Sequence, residues 1–319
     1  MPSLVHQAFT YSATGEFLAA MVPFIRDGLE GGDAVFAVTS PANIAALQEE
    51  LGDEAAAVEF HDSSDWYRQP YQTMNAYGRY VDQHANRGVV RIVGEPVWEG
   101  RSAGSVREWA RYESALNVAF AASRAWIVCP YNTQALPEQI VAHALQAHPG
   151  VIDDRGPRPS ASYLEPAKLL ASLADGDAAP PDANLVTLDV EDLGDARHLA
   201  AWWAEDAGLE RERLDDWTLA IGELIANAAR HGLQPVRLRL WGDRDELVAE
   251  VQDTGSGLVD QFAGWMPTPS NFTSGRGLWI VRQLADSLDF RRSGADFAVR
   301  MRFGLGTRTT QLKLGHQPG

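Results

Sequence analysis

The stretch TLAIGELIANAARHG at residues 218–232 decides the fold of the C-terminal half of this sequence. Its leucine, isoleucine and alanine residues recur at helical spacing and predict a helix with one apolar stripe. Glu223 and Asn227 stand four residues apart, which places both side chains on one face of that helix. A single pair of this kind is more often an ordinary surface pair than a functional one, so the segments that follow decide its meaning.

The segment DTGSG at residues 253–257 follows a predicted strand, LVAEVQD, that ends at Asp253. Gly255 and Gly257 allow the backbone to turn tightly there and to approach a ligand closely. Because many strands end in aspartate and glycine, this segment alone fits an ordinary turn equally well.

A third segment, GRGLWIVRQLAD at residues 275–286, predicts a helix that opens with Gly275 and Gly277. The first N–H groups of a helix have no partners inside the helix, and the positive end of the helix dipole lies there, so this arrangement can hold phosphate. Two glycines also fit a simple turn. The three segments in this order, on a helix, a strand end and a helix start, are far less expected by chance.

Together the three segments resemble the N, G1 and G2 boxes of the GHKL ATPases, which have the Bergerat fold. The resemblance covers about residues 185–305. The order of strands and helices in this half also predicts an α+β sandwich, with an antiparallel or mixed sheet covered on one face by helices. Within the superfamily, residues 223–232 and 275–286 are most similar to the anti-sigma-factor serine kinases.

The resemblance implies a chemical role for each box, with ATP and Mg²⁺ as the cofactors. Asp253 would accept a hydrogen bond from the adenine amine, and a carboxylate there favours adenine over guanine. Asn227 would supply an oxygen to Mg²⁺, and Glu223 would be the general base that takes a proton from an attacking hydroxyl. The other nucleotide-binding positions implied by the boxes are Arg230, Gly255, Gly257, Gly275, Arg276, Gly277 and Leu278.

Two residues near the end of the first helix also have an ordinary interpretation. Arg230 lies near the face of Asn227 and could pair with phosphate, but a solvated arginine at a helix end is equally compatible with the sequence. His231 precedes Gly232 and is predicted to belong to the helix cap rather than to act in catalysis.

Residues 258–274 contain Pro267 and Pro269 among small polar residues and are predicted to form a mobile lid, which Phe262 and Trp265 could pack onto the domain. We find no dimerisation helix with a phosphoacceptor histidine, as a sensor histidine kinase would need. The one candidate in this half, the histidine of ARHLAAWWAE, lacks the flanking acid and Arg-Thr-Pro of such helices.

The N-terminal half alternates apolar strands with helices, which predicts an α/β domain around a mostly parallel sheet. Residues 16–40 resemble the helix and second strand of RecA-like ATPases. The preceding turn, YSATGE at residues 11–16, lacks the GxxxxGK phosphate loop, and residues 1–167 contain no lysine. ATP binding is therefore not expected in this half.

Residues 90–102, 108–120 and 126–133 extend this likeness to the MEDS sensory domains, a degenerate RecA-like family, over about residues 4–150. The resemblance implies a module that senses an unspecified small molecule. Residues at strand ends would line its cleft. The candidates are His6, Tyr11, Glu95, Trp98, Cys129 and Tyr131, each of which also fits an ordinary core or loop position.

No metal site is predicted in the N-terminal half. Cys129 is the single cysteine of the chain, so it forms no internal disulfide. Four other histidines of this half show no metal-ligand spacing. They are His61, His84, His143 and His148.

Residues 156–184 collect five prolines among small and polar residues. They predict a linker between a domain of residues 1–155 and a domain of residues 185–319, with a short helix within the linker. The formal net charge is −16, and both halves are acidic, which disfavours direct binding to nucleic acid or an anionic membrane. With no long apolar run and no signal peptide, the chain is expected to be cytoplasmic.

The two resemblances together imply a signal-responsive, ATP-binding regulator that acts as a serine/threonine protein kinase and anti-sigma factor. Its implied partner is an anti-anti-sigma protein of STAS type, with a sigma factor as the sequestered client, and a homodimer is compatible with this interpretation. Two alternatives stay open. One is a nucleotide-dependent switch that captures a partner without phosphorylating it, and the other, less favoured, is a sensor histidine kinase.

Overall fold

The computed structural model describes the chain in six segments. They are residues 4–173, 186–189, 193–258, 260–266, 276–294 and 296–305. The chain divides into two compact units after Leu173, and each is described by itself.

The first unit is built on a seven-stranded sheet with the order β3-β2-β4-β5-β1-β6-β7. Neighbouring strands are parallel except for the last pair, β6 and β7. The strands are β1 (Val5–Tyr11), β2 (Ala34–Thr39), β3 (Glu59–Asp62), β4 (Val90–Gly94), β5 (Ala125–Asn132), β6 (Gly150–Asp153) and β7 (Gly156–Pro159). The predicted α/β domain with a mostly parallel sheet is confirmed.

Helices connect these strands. They are α1 (Thr14–Glu30), α2 (Pro41–Leu51), α3 (Ser63–Trp66), α4 (Pro70–Gln83), α5 (Ala103–Ala119), α6 (Glu138–Ala147) and α7 (Pro166–Ser172), with a 3₁₀ helix at Gly52–Ala57. All six residues of β2 are buried, as expected for a parallel strand covered on both faces. The start of α2 shows how the sequence sets an element boundary. The Ser40 hydroxyl accepts the Asn43 N–H, and Pro41 occupies the first turn, where no N–H is needed.

The first part of the predicted linker belongs to the first unit. Residues 156–159 form β7 at the edge of the sheet, antiparallel to β6. The short helix expected in the linker is α7, and its Leu169 is buried against Ala110 and Ala147. Residues 174–184 of the predicted linker lie outside the described residues.

The second unit is a five-stranded antiparallel sheet with three described helices. The sheet order is β11-β12-β10-β9-β8. The strands are β8 (Val186–Asp189), β9 (Arg237–Gly242), β10 (Glu246–Asp253), β11 (Ser287–Ser293) and β12 (Asp296–Gly304), and the helices are α8 (Leu193–Asp206), α9 (Arg211–His231) and α10 (Arg276–Leu284). This arrangement confirms the α+β sandwich of Bergerat type.

The core of the second unit joins the apolar face of α9 to alternate residues of the sheet. Ile221 and Leu224 of α9 are buried with Leu240 of β9 and Ala249 of β10. Leu240 and Ala249 are paired across the two strands, so one face of the sheet presents its apolar side chains to the helix. Leu224, Ile225 and Ala228 of the predicted apolar stripe are buried and position α9 on the sheet, whereas Leu219, also predicted in the stripe, is 45% exposed.

Trp217 is the largest side chain at the centre of this core. It is fully buried, and its indole N–H donates to the Ala200 carbonyl oxygen at 3.0 Å. Its ring stacks on Trp203 with 6.0 Å between centroids and meets the edge of Phe303 at 5.2 Å. It thus holds α8, α9 and β12 together.

Trp217→Ala is expected to lower the free energy of unfolding of the second unit by about 3–5 kcal/mol, because it leaves a large cavity in a closed core. Trp202→Ala is the matched control, since Trp202 is 62% exposed. Urea titration followed by far-ultraviolet circular dichroism measures both. Equal losses in the two variants would contradict this account of the core.

Candidate functional site

A cavity of about 400 Å³ opens in the second unit between the C-terminal half of α9, the end of β10, the start of α10 and β12. Its polar lining residues are Asn227, His231 and Asp253. The remainder of its lining is apolar or glycine, and consists of Leu224, Ala228, Gly232, Val251, Gly257, Leu258, Ala263, Gly277, Leu278, Phe297 and Val299. A few polar groups on an apolar wall are typical of a small-molecule site.

One end of the site is formed by α9 and the start of α10. Glu223 and Asn227 lie one turn apart on α9, both half-buried. Neither side chain forms a hydrogen bond within the described part of the chain. Gly277 lies against both: a Cβ atom there would stand 2.8 Å from Glu223 Oε2 and 2.9 Å from Asn227 Nδ2. The absence of a side chain at Gly277 therefore lets α10 begin directly beside the two polar groups.

Asp253 forms another polar point of the cavity, at the end of β10. Its carboxyl group is buried, and Oδ1 accepts the backbone N–H of Gly255 at 2.6 Å and that of Leu233 at 3.4 Å. A Cβ atom on Gly232 would stand 2.4 Å from Asp253 Cγ. The surrounding backbone thus holds one carboxyl oxygen in place. Oδ2 accepts no hydrogen bond from the described residues, which leaves it to a ligand.

Gly257 brings the strand end close to β12. Its φ of +71° lies in the left-handed region, which side-chain-bearing residues rarely adopt. A Cβ atom there would stand 2.5 Å from the Phe297 ring. Conformation and space both require glycine at this position.

The structure brings most of the predicted nucleotide-site residues together. Those that line the cavity are Asn227, Asp253, Gly257, Gly277 and Leu278. Glu223 contacts this group through Gly277, and Gly255 through the Asp253 carboxylate. Gly275 lies outside the described residues.

The two arginines do not line the cavity. Arg230 is exposed, and its Nε donates to the Ala226 carbonyl oxygen at 3.0 Å, as a solvated arginine at a helix end does. Arg276 is exposed at the start of α10. His231, predicted to belong to the helix cap, also lines the cavity, and Gly232 closes the helix by donating its N–H to Ala228.

Sequence reasoning missed the apolar wall of the site. Val251 on β10 and Phe297 and Val299 on β12 contribute to it. The register places Val299 opposite Val251 and Phe297 opposite Asp253. Alternating apolar residues occur in every half-buried strand, so no signal separates these residues from ordinary core.

The described part of the predicted lid is tied to α10. Trp265 is buried, and the Arg282 guanidinium lies over its ring at 4.8 Å. Arg282 Nε donates to the Ala263 carbonyl oxygen at 3.0 Å. The prediction that Trp265 packs this segment onto the domain agrees with these contacts. Residues 267–274 of the predicted lid lie outside the described part of the chain.

The six candidate sensory residues of the first unit divide into separate groups. Tyr11 and Glu95 form the first, because the Tyr11 hydroxyl donates to Glu95 Oε1 at 2.5 Å. Asn43 Nδ2 donates to the other Glu95 oxygen at 2.9 Å, and Thr39 donates to it as well. Burial and the nearby Glu95 charge raise the pKa of Tyr11. These residues form a hydrogen-bonded network at the carboxyl edge of the sheet.

The second group lies in the core under α5 and α6. His6 and Cys129 come together with two residues that were not among the candidates, Glu113 and His148. The Tyr131 ring packs edge-on against His148 at 5.8 Å, and Trp98 lies 6.2 Å from Tyr131. The prediction that no metal-ligand cluster forms here is therefore corrected. Its members come from four different elements, so spacing along the sequence could not reveal them.

The loop between β1 and α1 is closed by its own carboxylate. Glu16 Oε2 accepts the Ser12 backbone N–H at 2.7 Å and the Ser12 hydroxyl at 2.9 Å, and these bonds lower the pKa of Glu16. A cavity of about 420 Å³ beside this loop is also lined by Asp153 and Asp154. Three acidic side chains make this position unfavourable for a phosphate group.

Comparisons with known proteins agree with the two-unit architecture. Residues 5–149 match the family model of the MEthanogen/methylotroph, DcmR Sensory domain, or MEDS. Residues 186–303 match that of the histidine kinase-like ATPase domain. The predicted fusion of these two kinds of domain is confirmed. No curated protein matches the chain.

Among solved structures, the chain is similar to the crystal structure of the RsbU and RsbW domains of Rv1364c from Mycobacterium tuberculosis. The identity is 19% and the TM-score 0.28, with 39% of this chain and 32% of that chain covered. The chain thus spans about a third of that structure, and a likeness this weak transfers no function. None of the described helices is long and apolar enough to cross a membrane.

Gly257→Ala is expected to destabilise the second unit by more than the roughly 1 kcal/mol that left-handed backbone alone costs an alanine, because the new methyl group also collides with the Phe297 ring. Gly294→Ala is the matched control, since Gly294 has a φ of +61° and open space around its Cβ position. Thermal unfolding compares the two. A smaller effect at position 257 than at 294 would contradict the close packing of Gly257 on Phe297.

Proposed function

We propose that the chain is a signal-responsive protein kinase, because it joins a MEDS-type sensory domain to a histidine kinase-like ATPase domain. Its second unit binds ATP and Mg²⁺ and phosphorylates a serine or threonine of a partner protein. The observation that carries the proposal is that the half-buried Glu223 and Asn227 and the buried Asp253 belong to one cavity system and leave side-chain oxygens without partners among the described residues.

Asp253 is the residue that would recognise the base. The exocyclic amine of adenine is a donor that Oδ2 can accept, whereas guanine carries a carbonyl oxygen at the same place. Two acceptors facing each other in a buried position leave both without a partner, which is costly. The apolar wall of Leu224, Ala228 and Val299 suits the faces of a planar ring.

The phosphate end would lie at the start of α10. The Asn227 amide oxygen is a hard donor of the kind that Mg²⁺ accepts, and the free N–H groups at the helix start favour anions. Gly277 lets the phosphates approach this backbone without obstruction. ATP with Mg²⁺ supplies a transferable phosphoryl group whose charge the metal ion partly neutralises.

Glu223 would act as the general base. Its carboxylate lies beside Gly277, one helical turn from Asn227, and has no hydrogen-bond partner among the described residues. It would accept the proton of a serine or threonine hydroxyl as the oxygen attacks phosphorus. A carboxylate without a hydrogen-bond partner is free to accept a proton, whereas a carboxylate in a salt bridge would first have to leave that salt bridge.

The resemblance to the anti-sigma-factor serine kinases suggests the partner. We propose an anti-anti-sigma protein of STAS type as the phosphorylated protein and a sigma factor as the sequestered client, with the first unit as the sensor. A nucleotide-dependent switch without phosphoryl transfer is the alternative. Transfer of γ-³²P from ATP to a partner serine supports the kinase, and capture without transfer supports the switch.

A histidine kinase is the less favoured candidate. The histidine that would have to accept the phosphoryl group is His198 on α8, which is exposed and does not line the cavity. Acid-labile autophosphorylation would support this candidate, whereas acid-stable label on a partner would exclude it.

Asp253→Asn is expected to weaken ADP binding by about 10-fold to 150-fold, because the amide can turn its donor toward the adenine amine and leave a buried group mispaired. Asp245→Asn, at an exposed turn, is the matched control and should keep the affinity of the parent. Calorimetric titration measures both. Unchanged affinity in Asp253→Asn would remove the base-recognition role.

Glu223→Gln and Asn227→Ala are expected to separate catalysis from binding. The first keeps nucleotide affinity but lowers phosphoryl transfer by about 10²-fold to 10⁴-fold, since the amide cannot accept the proton. The second weakens Mg²⁺-dependent nucleotide binding itself.

Glu212→Gln is the control for this pair, because it changes the same chemical group at an exposed position of α9. Calorimetry with and without Mg²⁺ measures binding, and transfer of label from ATP measures catalysis. Parent-like binding and turnover in both variants would mean that α9 is only a packed helix.

A further inference from the structure

Four potential metal ligands meet in the core of the first unit. They are His6 on β1, Glu113 on α5, Cys129 on β5 and His148 just after α6. All four are buried, and one ligand atom from each lies within 4.8 Å of the other three. The nucleotide site uses none of these four residues.

Four distances within the cluster lie close to the edges of a tetrahedral metal site, and all six lie within 4.8 Å. Glu113 Oε2 lies 3.5 Å from His6 Nε2 and 3.5 Å from His148 Nε2. Cys129 Sγ lies 3.6 Å from His6 Nε2 and 3.8 Å from Glu113 Oε2. With zinc–sulfur bonds of about 2.3 Å and zinc–nitrogen or zinc–oxygen bonds of about 2.0–2.2 Å, the tetrahedral edges measure about 3.3–3.7 Å.

Nδ1 of each imidazole already forms a hydrogen bond, and this bond orients Nε2 toward the cluster. His148 Nδ1 lies 2.7 Å from the Ala144 carbonyl oxygen, an acceptor, so this nitrogen carries the proton. His6 Nδ1 lies 3.0 Å from Asn117 Oδ1, while the Asn117 amide nitrogen donates to the Ala147 carbonyl oxygen at 2.7 Å. Metal-binding histidines are commonly held by such a hydrogen bond from the other ring nitrogen.

This arrangement brings hydrogen-bond acceptors close together, with the His6 and His148 rings 4.0 Å apart between centroids. In the neutral tautomers, Nε2 of His6 and Nε2 of His148 are acceptors, and both face Glu113 Oε2, which is also an acceptor. His148 Nε2 has no hydrogen-bond partner among the described residues. Buried acceptors that face each other are unfavourable unless a cation lies between them.

We propose that His6, Glu113, Cys129 and His148 bind one Zn²⁺ ion in the core of the first unit. Two neutral imidazoles, a thiolate and a carboxylate carry a total charge of −2, which a divalent cation neutralises. Thiolate and imidazole donors favour Zn²⁺ over Mg²⁺ or Ca²⁺, which prefer oxygen ligands. Four protein ligands make a closed site of the structural kind.

The ion would connect the centre of the sheet to the helices that cover it. β1 and β5 are neighbouring strands, and α5 and α6 pack together above them. The metal would therefore hold four elements of the sensory unit at one point. Tyr131, whose ring packs on His148, lies beside the site.

The alternative occupant of this cluster is a proton. A buried ion pair between a histidine and Glu113 would give similar distances without any metal, and the experiment has to distinguish the two. Metal content and the spectrum of a substituted ion do so, because a proton produces neither.

The experiment uses the full-length chain, purified without chelators, and measures bound metal by plasma mass spectrometry. We expect about one Zn²⁺ per chain. After the zinc is removed and replaced by Co²⁺, the visible spectrum should show the intense bands of tetrahedral cobalt and a thiolate-to-cobalt charge-transfer band. Cys129→Ser should abolish the charge-transfer band.

Asn117→Ala tests the orientation of His6 without removing a ligand, and it should weaken Zn²⁺ affinity by about 10-fold to 100-fold. His61→Gln is the control and should keep one Zn²⁺ per chain, since His61 is a half-buried histidine of the same unit that lies outside the cluster. If Cys129→Ser does not fold, the cobalt spectrum of the parent and the Asn117→Ala affinity still decide the matter.

A parent chain without bound metal that takes up neither Zn²⁺ nor Co²⁺ would overturn the proposal. Cobalt bound without a thiolate band, or a zinc content unchanged in both Cys129→Ser and His148→Ala, would overturn it as well. Because the nucleotide site uses none of these residues, each result is independent of the proposed kinase activity.

Discussion

A hydrogen atom in place of a side chain at Gly277 lets the start of α10 rest against Glu223 and Asn227 of α9. Because α9 and α10 approach closely at this point, two polar side chains lie beside the free N–H groups of a helix start. An apolar core would otherwise exclude such groups. The same principle operates around Asp253, where Gly232 and Gly255 leave room for the carboxylate. The site is thus shaped by close approaches at glycine positions, and the apolar core holds these positions in register.

The parts of this site that the sequence predicts are the local ones. Helical spacing places Glu223 and Asn227 on one face, and the strand before Asp253 ends where the glycines begin. The apolar wall could not be predicted, because Phe297 reaches the cavity only through the pairing of β12 with β10. The sequence did not predict the edge strand β7, for a different reason. Its prolines are typical of linkers, but proline is also tolerated at the edge of a sheet.

The first unit has a mostly parallel sheet, and the loop after its first strand is closed by its own carboxylate. Glu16 accepts the Ser12 backbone N–H there. The order of strands and helices was predictable from apolar periodicity. The cluster of His6, Glu113, Cys129 and His148 was not, because the chain brings these residues together only when the sheet and its covering helices are assembled.

We propose that the cavity beside α9 is an adenine nucleotide site in which Asp253 recognises the base. This can be tested by calorimetric titration of the full-length chain with ADP and with GDP, each in the presence of Mg²⁺. ADP is expected to bind at least about tenfold more tightly than GDP, because the guanine carbonyl would face the buried Asp253 carboxylate. Equal affinity for the two nucleotides, or binding of neither, would contradict it.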